Sequence, residues 1–344
     1  MVALVLHPGH SKCGSTTIQD FIFANREVFK NRGVFLPDLN FNFPCHKDYN
    51  FNLTHTPRDY FARVQSGDVS VTDLEKKIDE LINSAEQNGC RRVIISAENL
   101  INGIASKNTK AIHKLLAKKF KQIRIVYYVR KQDSLMQAAW QQWGHKEGLT
   151  LDNYAKKMCE TRFGDFNFIA SQLKNYYPKA KLKVFPMNRD YLIENDLLID
   201  FCSRALIDKK NLNFDIQSSN SGISSAVCDT LSKINTVYAD KHDQNIKHLL
   251  IDSSPNSNSL LTKKYNHELS SDNKVRMFEK YQASNIQLHK TYFPNLPFDK
   301  IMSMECDEAE SNNEISLLKR KIEKLEDLNA IQLDMILQLL KKVN

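Results

Sequence analysis

Short apolar runs separated by longer amphipathic stretches constrain this chain more than any other feature. Residues 2–6, 92–96, 123–129 and 182–185 are runs of four to seven residues, the kind buried on both faces of a parallel sheet. Between them lie stretches with helical periodicity: 15–29, carrying Ile18, Phe21, Ile22 and Val28, then 71–87, 111–120 and 166–176. Strands alternating with helices at this spacing predict βαβ units. The fold class is therefore α/β, a three-layer parallel sheet with helices on both faces. After Arg189 the chain turns mainly helical, with polar loops at 218–222 and 252–259.

The 344 residues suffice for one large domain and an appendage. No apolar run approaches the ~20 residues that cross a bilayer, so no transmembrane segment is expected. The opening residues lack the basic stretch and cleavage site of a signal peptide. The expected location is the cytoplasm, with peripheral membrane contact left open. Seven cysteines at irregular spacing, with no C-x-x-C pair, read as free thiols and argue against a structural zinc site. The net charge of +8 suits an anionic ligand. Its basic residues are spread along the chain, so no nucleic acid partner is expected.

The last segment follows a different rule. Ile315, Ile322, Asn329, Ile336 and Val343 fall at one heptad position, and Leu318, Leu325, Gln332 and Leu339 at the other. This 3,4 spacing predicts a coiled-coil helix over 313–344, about 45 Å long at 1.5 Å per residue. Isoleucine at a with leucine at d favours a parallel pair, and Asn329 would fix its register, so a homo-oligomer is expected. Leu328, Leu333, Leu337 and Leu340 widen the apolar face, which leaves open a helix folded back on its own domain. The expected organisation is one main domain over 1–304, an acidic linker over 305–312 and the coiled coil over 313–344.

The chemistry concentrates in residues 7–17, His-Pro-Gly-His-Ser-Lys-Cys-Gly-Ser-Thr-Thr, between the first strand and the first helix. A helix N-terminus offers unpaired N–H groups and the positive end of the dipole, so it attracts phosphate. Gly9 and Gly14 let the backbone wrap an anion closely. Ser15, Thr16 and Thr17 add hydroxyls, and Lys12 adds a charge. The segment is not a Walker A loop, because Lys12 precedes Gly14 by two residues instead of following it.

With Gly9, Lys12, Gly14, Ser15, Thr16, Ile18 and Gln19 in place, the segment resembles the 5′-phosphosulfate loop of the sulfotransferases that use 3′-phosphoadenosine 5′-phosphosulfate (PAPS). A second segment, Tyr127-Tyr128-Val129-Arg130-Lys131-Gln132-Asp133, resembles their 3′-phosphate signature, in the form found in bacterial carbohydrate sulfotransferases. The resemblance implies a P-loop-like sulfotransferase fold, PAPS as donor, a carbohydrate or glycan hydroxyl as acceptor and no required metal. It assigns Lys12 to the leaving phosphate, Ser15, Thr16 and Thr17 to the 5′-phosphate, and Arg130 to the 3′-phosphate, where a guanidinium can fork onto two oxygens. Eight residues beyond Arg130 the family has a serine and this chain has Ala138; Ser134 is the substitute within reach. Weaker similarities are the Ile94-Ile95-Ser96-Ala97-Glu98 segment, the 33–37 turn followed by His46, Asp200-Phe201 and Asn220-Ser221.

An acceptor hydroxyl needs a general base. Glu98, just beyond a central strand, is the first candidate; His46 and His55 follow, on a loop placed to meet an acceptor. His7 and His10 flank the turn and shape it. Trp140, Trp143, Tyr127 and Tyr128 are either core residues or stacking platforms for a base or sugar. Two other functions stay open: a nucleotide-binding scaffold acting through its coiled coil, which Ala138 favours, and a P-loop kinase, which the displaced Lys12 opposes.

Overall fold

The computed structural model describes residues 1–37, 57–216, 222–265, 269–303 and 314–343. The chain divides into two compact units, one of residues 1–131, 165–218 and 283–303, the other of 132–164, 219–282 and 304–344.

The first unit is built on five parallel strands: β1 (Ala3–His7), β2 (Val34–Phe35), β3 (Arg92–Ser96), β4 (Ile123–Val129) and β5 (Lys181–Pro186), in the order β2-β3-β1-β4-β5. Along β1, β3 and β4 nearly every residue is buried regardless of which face it points to. This is why those segments read as continuous apolar runs. Strand β2 escapes that reading because only Val34 and Phe35 pair, opposite Arg92 and Val93; two residues carry no period.

The helices of this unit are α1 (Ser15–Ala24), α2 (Arg26–Asn31), α3 (Arg58–Ser66), α4 (Val71–Gln87) and α5 (Lys107–Lys119). Beyond α6 (Gln132–Trp140) and α7 (Leu151–Cys159), which belong to the other unit, come α8 (Phe166–Tyr176) and α9 (Leu197–Ala205). Helices α3, α4 and α8 pack around α5, whereas α1 packs on α9, so the sheet is covered on both faces. The helix expected over 15–29 breaks at Asn25. Its side chain donates to the Phe21 carbonyl at 3.0 Å and to that of Asn213 at 2.9 Å. A side chain that competes for backbone groups in this way ends a helix. Arg32, Arg92 and Arg124 donate to the carbonyls of Asp208, Leu206 and Arg204, satisfying acceptors at and beyond the C-terminal end of α9.

The second unit has its own core, with Met136, Trp140, Tyr154, Val227, Met277, Tyr281 and Ile331 all buried. Trp140 donates to the Leu149 carbonyl at 2.7 Å, so it is a structural tryptophan. The C-terminal helix, Glu314–Val343, packs against this unit along one side. No helix among the described residues is long and apolar enough to cross a membrane.

Candidate active site

In a parallel sheet all strands end at one edge, and ligand chemistry gathers where neighbouring connections leave on opposite faces. Here β1 lies between β3 and β4; its own helix α1 packs with α9, and the helix after β3 packs with α3, α4 and α8. The ends of β1, β3 and β4 therefore open together. His7 and Ser96 end their strands directly opposite each other. The His7 ring bonds the Ser96 hydroxyl through Nδ1 at 2.8 Å, and the Ala97 N–H donates to the His7 carbonyl at 3.1 Å. The turn after β1 and the residue Glu98 after β3 are thus fixed to each other.

The turn carries two left-handed residues. Gly14 has φ 77°, and a Cβ added there would lie 2.3 Å from Leu197 Cδ2, so both backbone and neighbour require glycine. Lys12 has φ 66°, unusual for a long side chain. Gly9 passes so close to the first turn of α1 that an added Cβ would meet the Ser15 hydroxyl at 2.5 Å. The Ser15 hydroxyl itself donates to the His10 carbonyl at 2.9 Å, pinning the turn to the helix.

Helix α1 begins without a side-chain cap and without an acidic residue in its first turn, which contains Thr16 and Thr17. By contrast α4, α5, α8 and α9 are capped by Ser70, Ser106, Asp165 and Asp196. An uncapped N-terminus keeps its positive end available to an anion.

Charged side chains converge on this turn. Arg130, the residue after β4, donates through Nη1 to the Lys12 carbonyl at 3.1 Å. Glu98 is half-buried; burial raises its carboxyl above the usual range, although Arg58, Lys12 and the Ser15 hydroxyl all pull it down. A carboxylate held in this balance is a stronger base than one in water. Cys13 is fully buried in the same place, and desolvation pushes its thiol up to about 12, against the pull of Arg130. It stays protonated and is no nucleophile. His7 and His10 are lowered by burial to about 3 and about 4, so both are neutral rings that shape the turn.

The structure therefore brings Gly9, Lys12, Gly14, Ser15, Thr16, Thr17, Glu98 and Arg130 to one sheet edge, together with Arg58, which no motif identified. Arg58 starts α3, and its charge acts on Glu98 only because tertiary packing brings α3 near, so its sequence carries no signal. Ser134 stands in the first turn of α6 in the second unit, its N–H bonded to the Asp133 carboxylate, and Ala138 follows in the same helix. His46 and His55 lie outside the described residues, as do Asn220 and Ser221. Tyr127 and Tyr128 are fully buried, and Tyr128 donates to Asp200 at 2.6 Å; both are core residues. Asp200 is itself buried and paired with Arg204.

No family model matches this chain, and no curated protein does. Among solved structures, the sulfotransferase domain from the curacin biosynthetic pathway matches 86% of this chain and 99% of its own, with a TM-score of 0.39 and 13% identity.

Proposed function

We propose that this chain is a sulfotransferase that moves a sulfuryl group from PAPS to an acceptor hydroxyl on a carbohydrate. The observation that carries the reading is the convergence of Lys12, Arg130 and Glu98 on the uncapped start of α1. Two cations and a helix N-terminus suit an anionic donor, and a carboxylate raised by burial suits the removal of a hydroxyl proton. The carbohydrate acceptor rests on the similarity of residues 130–133 to bacterial carbohydrate sulfotransferases.

The donor supplies the sulfuryl group, whose bond to the phosphate oxygen breaks as its bond to the acceptor oxygen forms. Glu98 takes the acceptor proton. Lys12 and the first-turn N–H groups of α1 offset the charge that develops on the departing adenosine bisphosphate, a form of stabilisation worth several kcal/mol when preorganised. Arg130 binds the 3′-phosphate and, through the Lys12 carbonyl, keeps the lysine backbone in its left-handed turn.

Calorimetric titration with adenosine 3′,5′-bisphosphate tests the reading, with magnesium ATP as comparison. Tight binding without metal that is lost in Arg130→Ala supports it. Preference for magnesium ATP would move the chain to the kinases. Bisphosphate binding with no turnover of PAPS against any sugar would leave a nucleotide-binding scaffold.

A further inference from the structure

The C-terminal helix has two unlike faces. One is held on the second unit: Ile331 is buried within its core, and Leu328 and Met335 pack against it. Polar contacts reinforce that face. The Asp334 carboxylate accepts from the Asn256 and Ser257 N–H groups at 3.0 Å each. Lys263 reaches Asp327 at 2.6 Å, and Lys324 reaches Asp229 at 3.3 Å. The other face is bare. Leu318, Ile322, Leu325, Ile336 and Leu339 are 50%, 54%, 60%, 53% and 59% exposed. Of the fifteen large hydrophobics exposed among the described residues, eight are on this helix, which is a concentrated surface and not the ordinary scatter of single side chains.

We propose that this bare face binds the same face of a second copy of the chain, forming a parallel two-stranded coiled coil over Leu318–Leu339. The argument lies in which heptad positions are used. The face on the second unit takes the c position with Lys324 and Ile331, f with Asp327 and Asp334, and g with Leu328 and Met335. The a and d positions from Leu318 to Leu339 are left in solvent. A helix serving only its own domain would bury its most regular apolar stripe; this one buries a mixed stripe and displays the regular one. Ile322 and Ile336 at a, with Leu325 and Leu339 at d, select two parallel strands. Asn329, exposed at an a position, meets Asn329 of the partner subunit only in the parallel, in-register pairing, which trades some stability for register. The same register sets Lys321 at g against Glu326 of the partner subunit at e, an attractive pair; both side chains are exposed in the single chain. Leu333 and Leu340, at e, widen the seam. The pairing is independent of any reading of the catalytic chemistry.

Sedimentation equilibrium on the full chain tests this. The expected mass is twice the 39.7 kDa of one chain, falling to that of one chain in the double variant Ile322→Lys/Ile336→Lys. Thermal unfolding of dilute samples should be little changed, since both side chains are already exposed. A wild-type chain that sediments singly, or as three or more copies, overturns the proposal, and so does a double variant that stays paired. Orientation is read from Leu325→Cys. A parallel seam gives an oxidised, disulfide-linked dimer absent from wild type; no additional cross-link overturns the parallel arrangement.

Discussion

Arg130 and Lys12, 118 positions apart in the chain, are joined by a single hydrogen bond from the arginine guanidinium to the lysine backbone carbonyl. The bond makes Arg130 a brace for the turn, in addition to the 3′-phosphate role proposed for it. Arg130→Ala should weaken adenosine bisphosphate binding by about 10- to 100-fold, the loss of one or two charge-assisted hydrogen bonds of about 1.5–3 kcal/mol. Arg130→Lys should fail to restore it, because a lysine cannot serve carbonyl and phosphate with one planar fork. Titration calorimetry on both variants checks this; a lysine variant with wild-type affinity would refute the dual role.

Lys12→Ala removes the charge that the proposed mechanism uses to follow the transferring group. Turnover should drop by about 10²- to 10³-fold, the usual cost of losing one preorganised electrostatic contact, with the far-UV spectrum unchanged. A steady-state assay with PAPS and a glycan panel reads the effect. Turnover within a few-fold of wild type would remove the lysine from the chemistry.

Glu98 gives opposite signs for activity and stability. Its folded pKa is raised by burial. The folded state therefore favours the protonated form, and stability is lost as pH rises through that folded value. Glu98→Gln cannot ionise, so at neutral pH it should melt at a higher temperature than wild type while its turnover collapses. Scanning calorimetry and the transferase assay, run on one preparation, test both halves. A lower melting temperature would mean that the attraction of the Arg58 and Lys12 charges outweighs desolvation.

Acid should unfold the first unit early. His7, His10 and His113 are lowered by burial from 6.5 to about 3, about 4 and about 4. Stability present above pH 6.5 is therefore lost as pH falls toward those values, by about 2 kcal/mol per buried imidazole at pH 5. Urea midpoints at pH 7.5 and pH 5 measure it. A flat profile across that interval would show that these rings accept protons without unfolding.

The sheet was largely legible because β1, β3 and β4 are buried on both faces; β4 and the helices α4 and α8 fall where the apolar runs and helical periods place them. The two-residue β2 had too little length to declare itself, and Asn25 divided a periodic stretch by bonding backbone groups that no hydropathy pattern reports. At the candidate site the turn was readable from Gly9 and Gly14, whose close approach to α1 and left-handed backbone both require glycine. Arg58 was not, because its approach to Glu98 is made by packing of α3 and leaves no local mark. The buried side of the C-terminal helix was hidden for the opposite reason: Lys324, Asp327 and Asp334 look like a solvated stripe, and only their partners at Asp229, Lys263 and Asn256 reveal them as attachment points.

The left-handed backbone at Lys12 has a consequence for how such a chain drifts. A long side chain in that conformation costs on the order of 1 kcal/mol relative to glycine, so the backbone alone would favour glycine at this position. Variants selected only for heat resistance or expression should collect glycine or asparagine at position 12, and they would look improved by every biophysical measure while losing the charge. The identity of residue 12 in a natural or evolved population is thus a record of which pressure acted on it, catalysis or mere persistence.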